Sequence, residues 1–248
     1  MDKSLYIAMT GASATLRAQG SVAHNLANTD TVGFQATLSG TVAAPVTGPG
    51  LQSRVATVVQ TMGVSSAGGA IMTTGNPLDV ALQGEHWLAV QDPAGGVAYT
   101  RAGDLKLSLN GLLTTASGRP VLDQGGAPMS IPPSESLHIG GDGTVSVVPV
   151  GQPASTMAAV GRLQVVQART QDLVRGEDGL MHAAPGAAPP VPAAGNVLTS
   201  GVLEGSNVDG TAMLVSMIQL ARQFEMQVRV LQSGDETARA ANTLLSSR

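Results

Sequence analysis

Residue types able to do chemistry are few in this chain, and their spacing is poor for it. The four histidines, His24, His86, His138 and His182, are scattered, with no two at the helical spacing that turns a pair of imidazoles onto one metal ion. Cysteine is absent, which excludes thiolate metal sites, cysteine nucleophiles and disulfides and leaves the compartment open. Gly140-Gly141-Asp142-Gly143-Thr144 has the glycine content of a phosphate or calcium loop. It lacks both the G-x-x-x-x-G-K-[ST] order and the alternating acidic ligands of an EF-hand, so it reads as a β-turn. The carboxylate pairs Glu177-Asp178 and Asp235-Glu236 are neighbours in sequence and read as solvated turn or helix-surface charges. No G-x-S-x-G nucleophile elbow occurs. The expectation is a protein that is not an enzyme, with no catalytic, cofactor-binding or metal-ligating residue.

Behind these side chains stand the elements that would have to position them, and the two chain ends dominate. From Leu214 an apolar seven-residue repeat runs through Leu214, Met217, Ala221, Phe224, Val228 and Leu231, then on through Asp235, Ala238, Asn242 and Leu245. Alternating steps of three and four residues are the seam of a coiled coil. No proline falls between Val208 and Arg248 to break it, and Asn207 or Asp209 is placed as its N-cap. A weaker copy lies at the other end: Leu5, Ala8, Ala12, Thr15, Gln19, Val22 and Leu26. Its small residues would let a partner backbone come close. The first helix is expected over residues 4–28, stopped by Asn28-Thr29-Asp30-Thr31-Val32-Gly33, with Asn25 and Asn28 bonding backbone at its end and Phe34 as an anchor. So few large side chains recover less than the cost of ordering both helices. The ends therefore call for cover from other chains, whereas an ordinary amphipathic helix packed on its own domain is the plainer alternative.

Between the ends the chain changes character. Thirty-one glycines and fourteen prolines make a turn-rich middle, and the five aromatic residues leave its core to Val, Leu, Ile, Met and Ala. Residues 35–75 read as a small extended subdomain and residues 76–200 as a β-rich domain. In the latter, Trp87-Leu88-Ala89-Val90 is a buried run, and Pro93-Ala94-Gly95-Gly96 and Asn110-Gly111 are hairpin turns. Leu105, Leu107 and Leu109 alternate onto one strand face. The fold class that results is α+β: N- and C-terminal helices paired as an antiparallel coiled coil over residues 1–34 and 201–248, around the β-rich middle. The formal charge of −4 falls wholly within residues 35–207, because the acidic and basic residues of each end cancel. There is no basic run and no aromatic–basic interleaving, so nucleic-acid binding is unsupported. No apolar run reaches the length of a membrane span, and Thr10, Ser13, Thr15 and Arg17 interrupt any signal-peptide core.

Three stretches, in order, resemble the bacterial flagellar axial proteins of the rod and hook family. The first is Ser21-Val22-Ala23-His24-Asn25-Leu26-Ala27-Asn28-Thr29-Asp30-Thr31-Val32-Gly33-Phe34. The second is Gly75-Asn76-Pro77-Leu78-Asp79-Val80-Ala81-Leu82 with Tyr99-Thr100-Arg101-Ala102-Gly103 and Asn110-Gly111-Leu112-Leu113-Thr114-Thr115. The third is Ser200-Gly201-Val202-Leu203-Glu204-Gly205-Ser206-Asn207-Val208-Asp209, leading to Phe224-Glu225-Met226-Gln227. Proximal rod subunits match best, with distal rod and hook-type subunits as alternatives. Gln35 stands where the family usually has a basic residue. The resemblance implies a structural subunit of the basal-body rod, exported unfolded by the flagellar type III apparatus without a cleaved signal. In the periplasm it would assemble with copies of itself and other rod subunits into a helical tube that carries torque, terminal helices innermost. The assembly surface expected is Leu5, Ala8, Ala12, Val22, Asn25, Leu26, Asn28, Gly33, Phe34, Leu214, Met217, Ala221, Phe224, Val228, Leu231, Ala238 and Leu245. The rival from another class is a β-rich binding module with a helical oligomerisation tail, in which Trp87 and Tyr99 would be exposed stacking platforms.

Overall fold

Two helices with no internal proline and a turn-rich middle give an α+β molecule in the computed structural model, which describes residues 3–46 and 55–246. The chain forms two units. The first comprises Met1–Ala27, Thr37–Met62 and Asp209–Arg248; the second comprises Asn28–Ala36 and Gly63–Val208.

In the first unit, helix α1 spans Lys3–Ala27 and helix α2 spans Gly210–Ser246. They pack on one another, and α1 also packs on strand β1 (Thr37–Pro45), which pairs with β2 (Val55–Val64). Of the two candidate caps for α2, Asp209 does the work: its Oδ1 accepts the N–H groups of Thr211 at 2.9 Å and Ala212 at 3.2 Å. The small residues of α1 let α2 approach. A Cβ added at Gly11 would come within 3.3 Å of the Gln227 amide. One turn along, the Thr15 hydroxyl donates to Gln227 Oε1 at 3.0 Å.

The second unit is built of short strands between glycine turns: β3 (Ile71–Thr73), β4 (Val80–Leu82), β5 (His86–Gln91), β6 (Val97–Thr100), β7 (Leu105–Leu107), β8 (Leu113–Thr115), β9 (Ser134–Ile139) and β10 (Thr144–Pro149). They continue as β11 (Ala158–Arg162), β12 (Val165–Gln167), β13 (Leu173–Arg175), β14 (Met181–Ala183), β15 (Val191–Pro192), β16 (Leu198–Ser200) and β17 (Val202–Glu204). The largest sheet has the order β13-β14-β6-β5-β12-β15, with each neighbouring pair antiparallel. A three-stranded sheet, β11-β10-β9, and the pairs β16-β4, β17-β3 and β7-β8 complete it.

The main core takes Val80, Leu88, Val90, Leu113, Val121, Ile139, Val145 and Leu163, aliphatic residues as the scarcity of aromatics requires. A second cluster gathers Val64, Trp87, Val166, Leu173 and Met181, with Tyr99 against it. The turns follow their residue types. Asp92 Oδ1 accepts the N–H groups of Ala94 at 2.8 Å and Gly96 at 2.7 Å between β5 and β6. Gly140–Thr144 is a β-turn joining β9 to β10: Asp142 accepts the Thr144 N–H at 3.0 Å and its hydroxyl at 2.7 Å. The expected leucine face needs correction. Leu105 is buried, but Leu107 is exposed and Leu109 stands fully in solvent. The strand ends at Leu107 because the turn starts at Ser108, whose N–H bonds the Leu112 carbonyl at 2.8 Å, so Leu109 sits at a tip and not on the pleat.

Candidate assembly surface

Helix α2 is apolar on two sides. One side carries Met217, Leu220, Phe224, Gln227 and Leu231, all half-buried, and Gln227 marks it as the side turned to α1. The opposite side carries Leu214, Val215, Ile218, Met226 and Val230, between 51% and 61% exposed. Arg222, Glu225 and Arg229 lie among these exposed apolar residues, so the open side mixes charge with apolar surface that would gain from cover. Here no described residue of α2 reaches full burial. The rest of the first unit repeats the pattern, with Tyr6, Met9 and Leu16 exposed on α1 and Leu38, Val42, Val58 and Met62 exposed on β1 and β2.

The residues expected to form the surface fall in several places. On α2, Met217, Ala221, Phe224, Val228 and Leu231 are half-buried, while Leu214 lies on the open side. On α1, Ala12 is buried and Ala8, Val22 and Leu26 are half-buried. The side chains of Leu5, Ala238 and Leu245 lie outside the described residues. Asn25 is buried and does bond backbone, although not that of its own helix end. Its amide pairs both ways with Thr37, Nδ2 donating to the carbonyl and Oδ1 accepting the N–H, each at 2.9 Å, which ties the start of β1 to α1. Asn28 accepts the Thr31 hydroxyl at 3.1 Å in the turn after α1.

Gly33 and Phe34 take part in something the sequence did not announce. In the second unit a buried ion pair joins Arg101 and Glu204, with Nη2 to Oε2 at 2.7 Å and Nε to Oε2 at 2.8 Å. The remaining Arg101 donors reach the carbonyls of Leu82 at 3.0 Å, Gly84 at 2.7 Å and His86 at 3.1 Å. Glu204 Oε1 accepts the Gly69 N–H at 3.0 Å, and its backbone carbonyl accepts the Gly33 N–H at 2.7 Å. Gly33 is at φ 67°, and a Cβ there would meet the Arg101 backbone at 2.3 Å, so a glycine is required twice over. Phe34 is buried beneath the Arg175 guanidinium, 4.3 Å from its ring centre. Burial pushes the Arg175 pKa down, and its Nη2 donates to the Gln35 carbonyl at 2.6 Å. Asn207, the unused cap candidate, accepts the Ala36 N–H at 2.7 Å and donates to the Ala67 carbonyl at 2.8 Å. Arg101 and Glu204 each stood in a recognisable stretch of sequence, but a pairing 103 residues apart leaves no periodic trace.

Among the described residues no cluster of three or more His, Asp or Glu is disposed to hold a metal ion, and no helix is long and apolar enough to cross a membrane. Trp87 is 2% exposed and its indole N–H donates to the Ala168 carbonyl at 3.1 Å. It is a core residue and offers no stacking platform, which removes the main support of the binding-module reading.

Three family models match in chain order: flagella basal body rod protein over residues 5–35, flagellar hook protein FlgE/F/G D1 domain over 81–147, and flagellar basal body rod FlgEFG protein C-terminal over 199–244. The chain is 43% identical to the flagellar basal-body rod protein FlgF of Escherichia coli, over 99% of each chain. The chain belongs to the flagellar basal-body rod protein family. Among other relatives, the FlgF protein of Salmonella typhimurium is 41% identical over 99% of each chain, and the FlgG rod protein of Bacillus subtilis is 30% identical over 95% of this chain and 96% of its own. Each stretch matched by a family model supplies part of the buried cluster: Gly33 and Phe34 from the first, Arg101 from the second, Glu204 and Asn207 from the third.

Proposed function

We propose that this rod-family chain is a structural subunit of the proximal rod of the bacterial flagellum, without enzymatic activity, and that its terminal helices bind copies of itself and other rod subunits in a helical tube that transmits motor torque. The observation that carries this reading is the two-sided apolar character of α2, half-covered on one side and open on the other. A surface of that kind completes itself by burial against further helices. Identity of 43% and 41% to FlgF proteins, against 30% to the FlgG protein, supports the proximal type over the distal.

Finer features belong to the same proposal. The antiparallel pairing of α1 and α2 has coiled-coil character along Met217, Ala221, Phe224, Val228 and Leu231. Ala8, Ala12, Val22 and Leu26 provide the close-approach side on α1, and Leu5, Leu214, Ala238 and Leu245 extend the assembly surface. Residues 1–34 and 201–248 act as the axial part, with residues 35–75 as a small subdomain and 76–200 as the outer β-rich domain. Export by the flagellar type III apparatus without a cleaved signal, and residence in the periplasmic part of the rod, follow from the family role.

The test places a charge on each side of α2. Phe224→Asp and Ile218→Asp should leave the thermal transition of the β-rich unit in place in the purified chain. Neither variant should enter basal bodies isolated from cells that make it as their sole copy. Normal rods built from either variant would show that side of the helix to be no interface.

A further inference from the structure

The chain passes between its two units through three stretches, residues 28–36, the segment beginning at 63, and the segment ending at 208. Within the second unit these stretches are fastened to one another. The Gly33 N–H bonds the Glu204 carbonyl at 2.7 Å, the Asn207 N–H bonds the Phe34 carbonyl at 3.2 Å, and the Ser65 N–H bonds the Ala36 carbonyl at 2.8 Å. Asn207 reaches the other two stretches through its side chain, holding Ala36 by its oxygen and Ala67 by its nitrogen. Glu204 adds Gly69 and then Arg101, and Arg101 is bonded to the carbonyls of Leu82, Gly84 and His86 beside the core strands β4 and β5.

We infer that Arg101, Glu204 and Asn207 are positioning residues for torque transmission: they route mechanical load arriving along the three stretches into the core strands of the β-rich unit. Two physical features point this way. Fastened side by side, the stretches share a pull across several hydrogen bonds, whereas a single stretch would yield one bond at a time. The Coulombic contact by itself gives thermal stability little, because apolar replacement of a buried ion pair is commonly neutral for the melting equilibrium. The stability at this site lies in the backbone groups that Arg101 and Glu204 satisfy. What an ion pair adds is direction, since an Arg–carboxylate contact with every donor engaged resists sliding in a way that an apolar contact does not. The inference rests on the rod reading above.

The test replaces the chromosomal copy with the full-length double variant Arg101→Met/Glu204→Leu, with Asn207→Ala, or with Arg169→Ala, which breaks only an exposed pair with Asp172. Each strain is scored for flagella per cell, for rotation across a series of viscosities, and for the melting of the purified chain. The double variant leaves the Leu82, Gly84 and His86 carbonyls and the Gly69 N–H without these partners, so it should melt below the parent. A Leu105→Ala strain, which loses stability by core volume alone, is the matched control, and both should build flagella in parental number. The double variant should rotate normally in dilute medium and stall or shed filaments as viscosity rises, while Leu105→Ala should not; Asn207→Ala should show a milder loss, and Arg169→Ala none. Parental rotation at every viscosity would overturn the inference. So would an equal loss in the Leu105→Ala strain, or one that tracks flagellar number and ignores load, because either marks a purely structural pair. Deletion of the whole chain separates the two levels: cells that still build flagella without it would refute the rod reading itself.

Discussion

Gly33 condenses two demands into one atom that is not there. Its φ of 67° disfavours any L side chain, and the space where a Cβ would go is filled by the backbone of Arg101. Gly33→Ala should therefore destabilise the β-rich unit by about 2–4 kcal/mol, read from the denaturant midpoint of its transition. Gly118→Ala is the control: it also has a positive φ, of 81°, but nothing within contact distance, so it should cost about 1 kcal/mol. Asp142 carries a pH signature at the same scale. Bonds from the Thr144 hydroxyl and N–H hold its carboxyl below the ordinary carboxylate range, against a smaller effect of desolvation. A depressed carboxyl contributes stability that is fully present above its unfolded value, near 4, and is lost as pH falls through its lower folded value. Asp142→Asn should therefore flatten the acid limb of the stability curve below about pH 4 while leaving the shape above pH 6 unchanged; an acid limb identical to the parent's would contradict the assignment.

At the scale of elements, the hairpin β7–β8 shows how one residue of offset decides a leucine's worth. Leu105 is buried in the main core and Leu109 stands at the turn tip. Leu105→Ala should cost about 2–5 kcal/mol, and Leu109→Ala should stay within about 0.5 kcal/mol of the parent, both from chemical unfolding. Helix α2 depends on its start in a similar way. Asp209→Ala removes the acceptor of two N–H groups and should cost about 0.5–2 kcal/mol in the helical unit, seen as earlier loss of helical circular dichroism on heating. Alternation predicted the leucine face; turn chemistry takes Leu109 off it, whereas Leu107 keeps its place in β7 and is exposed all the same. Period two holds only while the strand lasts, and Ser108 ends it one residue before the pattern does.

At the scale of the molecule, the two units differ in how fully they bury their apolar residues. The β-rich unit encloses two clusters, whereas the helical unit leaves Tyr6, Met9, Leu214, Ile218 and Val230 in solvent. Isolated chains should accordingly exchange the amides of residues 6–26 and 214–237 faster than those of the main core, and assembly into rods should slow them. Equal protection of both sets in the monomer would mean that the helical unit needs no partner.

Much of this was written along the chain. Heptad steps, caps, glycine turns and alternation are local patterns, and each acts within a few residues, so α1, α2, the β-rich middle and the family motifs could all be read in one dimension. Tertiary structure alone decided which residues meet: that Asn25 clasps Thr37, that Asn207 fastens two other segments while Asp209 caps the helix, and that Arg101 finds Glu204 across 103 positions. Pairings of that range depend on how every intervening element packs. Their energy resides in a contact that exists only once the chain has closed on itself, so no spacing along the sequence records it.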